Sequence, residues 1–226
     1  MKKVKGVPAL PTRERILNAA EHLFAARGYD ATSLRDIAID AGTRTGLVSY
    51  HFQSKEALYE TLISRRSTEI GRLRLELLHA ERRKCMPKPV PAERIVYAYT
   101  WPFLDLSRSE DPGWASYTKL ISGVANSARW ASLIGTYYDP VATVFLSEFQ
   151  RTLPGCPREK IVAAFTFMVS AMLSIAAETR RTDNLSNGAL PSTDLTRMFD
   201  IMLPFISAGF DRLGADGGDA HAGREG

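Results

Sequence analysis

Residues 32–58 read TSLRDIAIDAGTRTGLVSYHFQSKEAL, and this stretch decides the fold. Ser33 and Asp36 have the spacing of a capping box, which opens a short helix with Leu34, Ile37, Ala38 and Ala41 facing inward. Gly42 stops that helix. A second short helix is expected over about 45–52, with Val48 and Phe52 four apart on its inner side. Gln53 and Ser54 then break the pattern before a long helix from about Lys55 to Arg83. Two short helices around a tight, glycine-containing turn form a helix-turn-helix. The second of them must be bare on one side to enter a major groove about 12 Å wide. Its other side must be apolar enough to dock. Val48 and Phe52 supply the docking side, which leaves Arg44, Thr45, Gly46, Leu47, Ser49, Tyr50 and His51 for DNA.

The preceding segment completes a three-helix unit. Over 12–27, Ile16, Leu17, Ala20, Leu23 and Phe24 fall on one helical face, with Thr12 as the expected N-cap and Gly28 ending the helix. Charge is uneven along the chain. Residues 1–55 carry nine Lys and Arg against five acids, which equals the whole net charge of +4; the remainder is neutral. A positive first quarter on a neutral body suits a polyanion partner. Lys2, Lys3 and Lys5 lie in a stretch expected to be a flexible basic arm (1–10).

The run Thr32–Ala38, then Ala41-Gly42, then Tyr50-His51-Phe52 with Ser54–Leu58, together with Arg15-Ile16-Leu17, Ala19-Ala20, Leu23-Phe24 and Gly28-Tyr29 upstream, resembles the tetracycline-repressor (TetR) family. The resemblance spans about 12–62. It implies an N-terminal helix-turn-helix domain (11–57) that binds double-stranded operator DNA as a homodimer. It also implies a C-terminal helical domain (58–213) that dimerises and binds a small-molecule effector. The family's recognition-helix contacts fall on Thr45, Gly46, Leu47, Ser49, Tyr50 and His51, its second-helix contacts on Ser33 and Arg35, and its phosphate-clamping lysine on Lys55. Ser49 stands where an aromatic tyrosine is common. Arg44 stands where a small capping residue is usual, so capping by Thr43 is expected.

The rest of the chain reads as an all-α domain, about nine helices in total. Spans near 91–107, 113–127, 138–153, 157–181 and 193–213 are expected, with Pro102 and Pro204 kinking two of them. Asp183 to Pro191 reads as a polar turn region, and 214–226, rich in glycine, as a disordered tail. Ile161 to Ala177 is uncharged for 17 residues; Thr166, Ser170 and Ser174 interrupt it, so a buried helix is expected rather than a membrane span. Thr166, Ser170 and Ser174 form a small-residue stripe. With Met198, Met202 and Phe205 they are the expected dimer interface, in a four-helix seam.

An effector pocket is expected among the aromatic and apolar residues before that seam: Tyr97, Trp101, Phe103, Leu104, Trp114, Tyr117, Trp130, Tyr137, Phe145 and Phe165. Few buried charges are expected there, hence a mostly apolar effector. The two cysteines, Cys85 and Cys156, are far apart and suit a reducing cytoplasm, and no apolar signal core follows Met1-Lys2-Lys3. None of HExxH, GxSxG, a P-loop or GxGxxG occurs, and no metal or other cofactor is expected, so an enzyme reading has no support. The expected function is a transcriptional repressor released from a palindromic operator by its effector. The alternative is an activator, or a DNA-binding protein without an effector.

Overall fold

The computed structural model describes residues 10–125 and 127–222, the last seven of these by backbone alone. The expected basic arm, with Lys2, Lys3 and Lys5, lies outside the described residues. Ten α-helices follow one another: α1 (Thr12–Arg27), α2 (Leu34–Asp40), α3 (Thr45–Phe52), α4 (Lys55–Cys85), α5 (Ala92–Leu106), α6 (Pro112–Val124), α7 (Ala131–Thr152), α8 (Arg158–Ala176), α9 (Arg181–Leu185) and α10 (Leu195–Ala222). A single 3-10 turn, Ala128–Trp130, precedes α7, and the described residues contain no strand. The chain divides into two compact units at Arg65–Arg66, eight residues beyond the boundary expected from the sequence.

In the first unit, Ile16, Leu17, Ala20 and Phe24 of α1 are essentially out of solvent, and so are Ile37 of α2, Val48 of α3, and Leu58 and Leu62 of α4. Burying each such large side chain contributes roughly 1.5–3 kcal/mol. Phe24, Tyr29 and Tyr59 close the core as an aromatic cluster with ring centroids 5.0–5.6 Å apart. The N-cap of α1 is Pro11 rather than Thr12. A proline there gives up a backbone donor that the first turn of a helix leaves unpaired anyway.

In the second unit, α5, α7, α8 and α10 share one core of Val96, Tyr99, Phe145, Phe149, Phe165, Met168 and Phe210. Phe149 and Phe210 stack at 4.0 Å, and the edge of Tyr99 meets Phe145 and Phe165. α8 is long and apolar enough to cross a membrane. Here it packs among α5, α6, α7 and α10, and Phe165, Met168 and Met172 are buried within the chain.

Four expectations are corrected. α7 begins seven residues before Tyr138 and runs through Pro140. α8 ends at Ala176 rather than near 181, and α9 forms one short turn of helix that runs into the region read as a polar turn, where Asp183 accepts a hydrogen bond from the Ser192 N–H at 2.8 Å. The expected disordered tail is helical to Ala222. Its first glycine is not a breaker: a Cβ on Gly214 would stand 2.7 Å from Leu153 Cδ2, so the missing side chain lets α10 lie against α7's end. Residues 223–226 lie outside the described residues.

Candidate nucleic-acid interface and cavity

The turn between α2 and α3 is held from below. The capping box is complete: Asp36 N–H donates to Ser33 Oγ, and Ser33 N–H donates to Asp36 Oδ2. The Ser33 hydroxyl, which donates to Asp36 Oδ2 at 2.6 Å, and the Ser33 N–H on the same oxygen hold the Asp36 carboxyl below its ordinary pKa. At the other end of α2, Arg15 donates from Nε to the Ala41 carbonyl at 3.1 Å and from Nη2 to the Gly42 carbonyl at 2.9 Å. Those carbonyls terminate α2, where a cation is favoured. Gly42 has φ +60, which glycine adopts without a Cβ penalty.

α3 is thus presented with one face docked and the other bare. Val48 and Phe52 are buried, while Thr45, Gly46, Leu47, Ser49 and Tyr50 are exposed. Tyr50 is 80% exposed and touches the ring of half-buried His51 edge-on, so it does not pack against α4. Nothing lies within 4 Å of the position a Gly46 Cβ would take. Ser33 and Arg35, at the start of α2, are exposed as well, and so is Arg44. Arg44 itself occupies the N-cap of α3 with no side-chain capping bond, so the expected capping by Thr43 does not replace it at that position.

Two residues, Gln53 and Ser54, join α3 to α4. Gln53 has φ 60 and ψ −49, and the Ser54 N–H donates to the Phe52 carbonyl at 2.6 Å, which makes a three-residue γ-turn of the rare, positive-φ kind. Ser54 Oγ then accepts from the Ala57 N–H and caps α4. Lys55, the first residue of α4, lies with Nζ 4.1 Å over the ring of Tyr29, whose hydroxyl donates to Glu56 at 2.6 Å. The lysine is thereby placed, and still partly exposed.

The second unit holds a cavity of about 370 Å³ that is open to solvent on one side. Of the ten residues expected in a pocket, Phe103 and Phe165 line it. The other eight do not. Tyr97 and Trp101 stack on each other and against Phe199 of α10; Leu104 and Phe145 are core. Trp114 lies under the Arg66 guanidinium, and Trp130 beside Arg129. Tyr137 is half-buried in α7, and Tyr117 is fully buried, with its hydroxyl bonded to that of Tyr138, which does line the cavity. Burial pushes the Tyr138 hydroxyl well above its ordinary pKa.

Two of the expected seam residues, Thr166 and Ser170, also line this cavity. Their neighbours Val162 and Val169 share that face of α8. Met202 is buried inside its own chain and Met198 half-buried, whereas Ser174 and Phe205 are exposed. The bare apolar face of α8 and α10 is instead centred on Phe167 and Phe205, which are 68% and 77% exposed, with Ala163, Ala208 and Gly209 between them. Ser174, two turns beyond Phe167, belongs to that face.

Missed from the sequence is Arg74, which reaches the cavity from α4. Its signal is register: Ile70, Arg74 and Leu78 are four apart on the buried stripe of α4. Among the described residues, no group of three or more His, Cys, Asp or Glu is placed to hold a metal ion.

Two family models cover most of the chain: "Bacterial regulatory proteins, tetR family" matches residues 16–62, and "Tetracyclin repressor-like, C-terminal domain" matches 97–209. The chain belongs to the tetR family. That family consists of DNA-binding transcription regulators and is not enzymatic. The HTH-type transcriptional regulator AcrR of Shigella flexneri is 38% identical over 68 residues, 30% of this chain and 32% of that protein. UidR of Escherichia coli K12 is 42% identical over 55 residues, 24% of this chain and 28% of that protein. The chain thus matches about a third of the length of these curated relatives. A tetR-family regulator structure from Shewanella sp. PV-4 has a TM-score of 0.58 at 16% identity, covering 86% of this chain and 97% of that one, and shares the fold.

Proposed function

We propose that this tetR-family protein is a cytoplasmic transcriptional repressor that binds a palindromic operator as a homodimer and releases it when a small molecule with a largely apolar body fills the cavity of the second unit. The observation that carries the reading is α3: an exposed surface of Thr45, Gly46, Leu47, Ser49 and Tyr50 above a fully docked inner face, beside the placed Lys55. Each protomer has one such helix, so two-fold symmetry in the protein asks for two-fold symmetry in the site. The Phe167–Phe205 face supplies a place for the second copy. α4 supports control, because it carries Lys55 in its first turn and Arg74 at the cavity wall.

Selection of binding sites from random duplexes tests the first half. The expected outcome is a near-palindrome with half-sites about one helical turn apart, and enrichment of unrelated sequences would overturn it. Release is tested by titrating a cavity ligand with and without the selected operator. Linkage requires the operator to weaken ligand binding by the same factor by which the ligand weakens operator binding. Equal affinities in the two titrations would remove the effector from the mechanism and leave an activator or effector-free binder.

A further inference from the structure

Resting on the reading that the cavity of the second unit is a ligand site, we infer that its ligand is a monoanion, a carboxylate on an apolar body, held by Arg74. Arg74 is 1% exposed and forms part of the cavity wall. A buried guanidinium is expensive unless its charge is answered. Other inward-facing arginines of α4 are answered within the chain: Arg66 pairs with Asp111 at 2.8 Å, and Arg82 with the buried Glu148 at 2.6 Å. Arg74 is not. Among the described residues it has no carboxylate within ion-pair distance. Its protein partners are the Tyr99 carbonyl, 2.7 Å from Nε, the Met172 sulfur, 3.6 Å from Nη2, and the Tyr99 ring, 3.7 Å beneath the guanidinium.

Those contacts fix the plane of the group and use few of its five N–H donors. Nη1 keeps both of its hydrogens. Nη2 gives one hydrogen to the Met172 sulfur and retains a second, so the Nη1–Nη2 edge can still take a carboxylate in two parallel hydrogen bonds. The rest of the wall is greasy, with Phe103, Phe165, Leu146 and Val169 around it, so the charge is recognised at one pole and an apolar body fills the space. A second charge lies at the wall. Asp139 is exposed and carries its carboxylate back along its own helix, with Oδ2 3.2 Å from where a Gly135 Cβ would stand, and it makes no ion pair with Arg74.

Calorimetry on the full-length protein decides between these charges. The probes are octanoate, octanamide and octylamine, with naphthoate and naphthamide as a bulkier pair. At least one carboxylate is expected to bind on the order of tenfold to a hundredfold more tightly than its amide, the size of a charged hydrogen-bonded pair. Arg74→Met is expected to erase that preference. Equal binding of acid and amide, tighter binding of octylamine (an Asp139 site), or no binding of either carboxylate overturns the assignment. Should Arg74→Met fail to fold, the wild-type comparison alone still decides. The outcome separates from the release reading. A carboxylate that binds through Arg74 without weakening operator affinity keeps this assignment and removes release, whereas an amide that binds equally well and frees the operator does the reverse.

Discussion

The two units of this protein place their functional atoms on opposite sides of their helices. In the first, α2 and α3 are seven and eight residues long, too short to stand alone, and each is held by local devices: the Ser33–Asp36 box, the Arg15 grip on Ala41 and Gly42, and the Ser54 cap. Their working side chains point outward. In the second unit the helices that border the cavity are longer, 13 to 31 residues, and the side chains proposed to meet a ligand point inward, to a cavity bordered by Arg74 and Phe165. An outward site tolerates exchange of its residues at little cost to stability. An inward one does not, since each lining residue is also a packing residue.

The sharpest way to break this comparison is at the seam. Phe205→Glu, or Phe167→Glu, should give monomers by light scattering and reduce operator affinity to that of one half-site. Ser170→Glu should leave the dimer intact and occupy the cavity instead; monomers from Ser170→Glu would put the seam on the other face of α8. Next in size is packing. Phe145→Ala should cost the second unit roughly 3–5 kcal/mol in denaturant unfolding. Tyr50→Ala, on an exposed outer face, should change stability by less than about 0.5 kcal/mol while altering the preferred operator. A comparable loss from both would erase the inward–outward distinction.

Smaller again is Lys55→Ala. Operator binding should weaken about equally across sequences, and the slope of log affinity against log salt should drop by about one. An unchanged slope would mean that Lys55 serves only Tyr29. Smallest is Ser33→Ala, expected to cost about 1 kcal/mol as a lost cap. The same box predicts an acid limb. The folded Asp36 pKa lies below its ordinary value, so its contribution is complete above that ordinary value and is lost as pH falls through the lowered one. The gap between wild type and Ser33→Ala in urea titrations should narrow as pH falls from about 5 to 2, leaving the part due to the Asp36 N–H bond to Ser33 Oγ.

What was legible in the sequence follows the same division. The first unit's signals are local: a capping pair three apart, a glycine in the turn, Val48 and Phe52 four apart. All survive in the structure because neighbours in sequence are what enforce them. The second unit depends on helical phase, and phase is ambiguous on a helix that is apolar nearly all round. On α8 the stripe of Thr166 and Ser170 and the stripe of Ala163 and Phe167 are about one residue apart in register. Nothing in the sequence says which meets the cavity. Aromatic content misled for a related reason: Tyr97, Trp101 and Phe145 serve the core, where large rings bury most area. Gly214 reads as a breaker until Leu153 is seen against it.

The γ-turn at Gln53 makes chain length, rather than residue identity, the fixed quantity between the reading helix and the lysine that follows it. With only Gln53 and Ser54 as the joint, both held by hydrogen bonds, an insertion there has little slack to absorb it. Each added residue lengthens the joint and breaks the hydrogen bond from the Ser54 N–H to the Phe52 carbonyl, so α3 and the Lys55 held over Tyr29 no longer keep their spacing. New operator preferences are therefore reachable by exchanging residues 45–51 one at a time. Insertions and deletions between Phe52 and Lys55 are closed as a route.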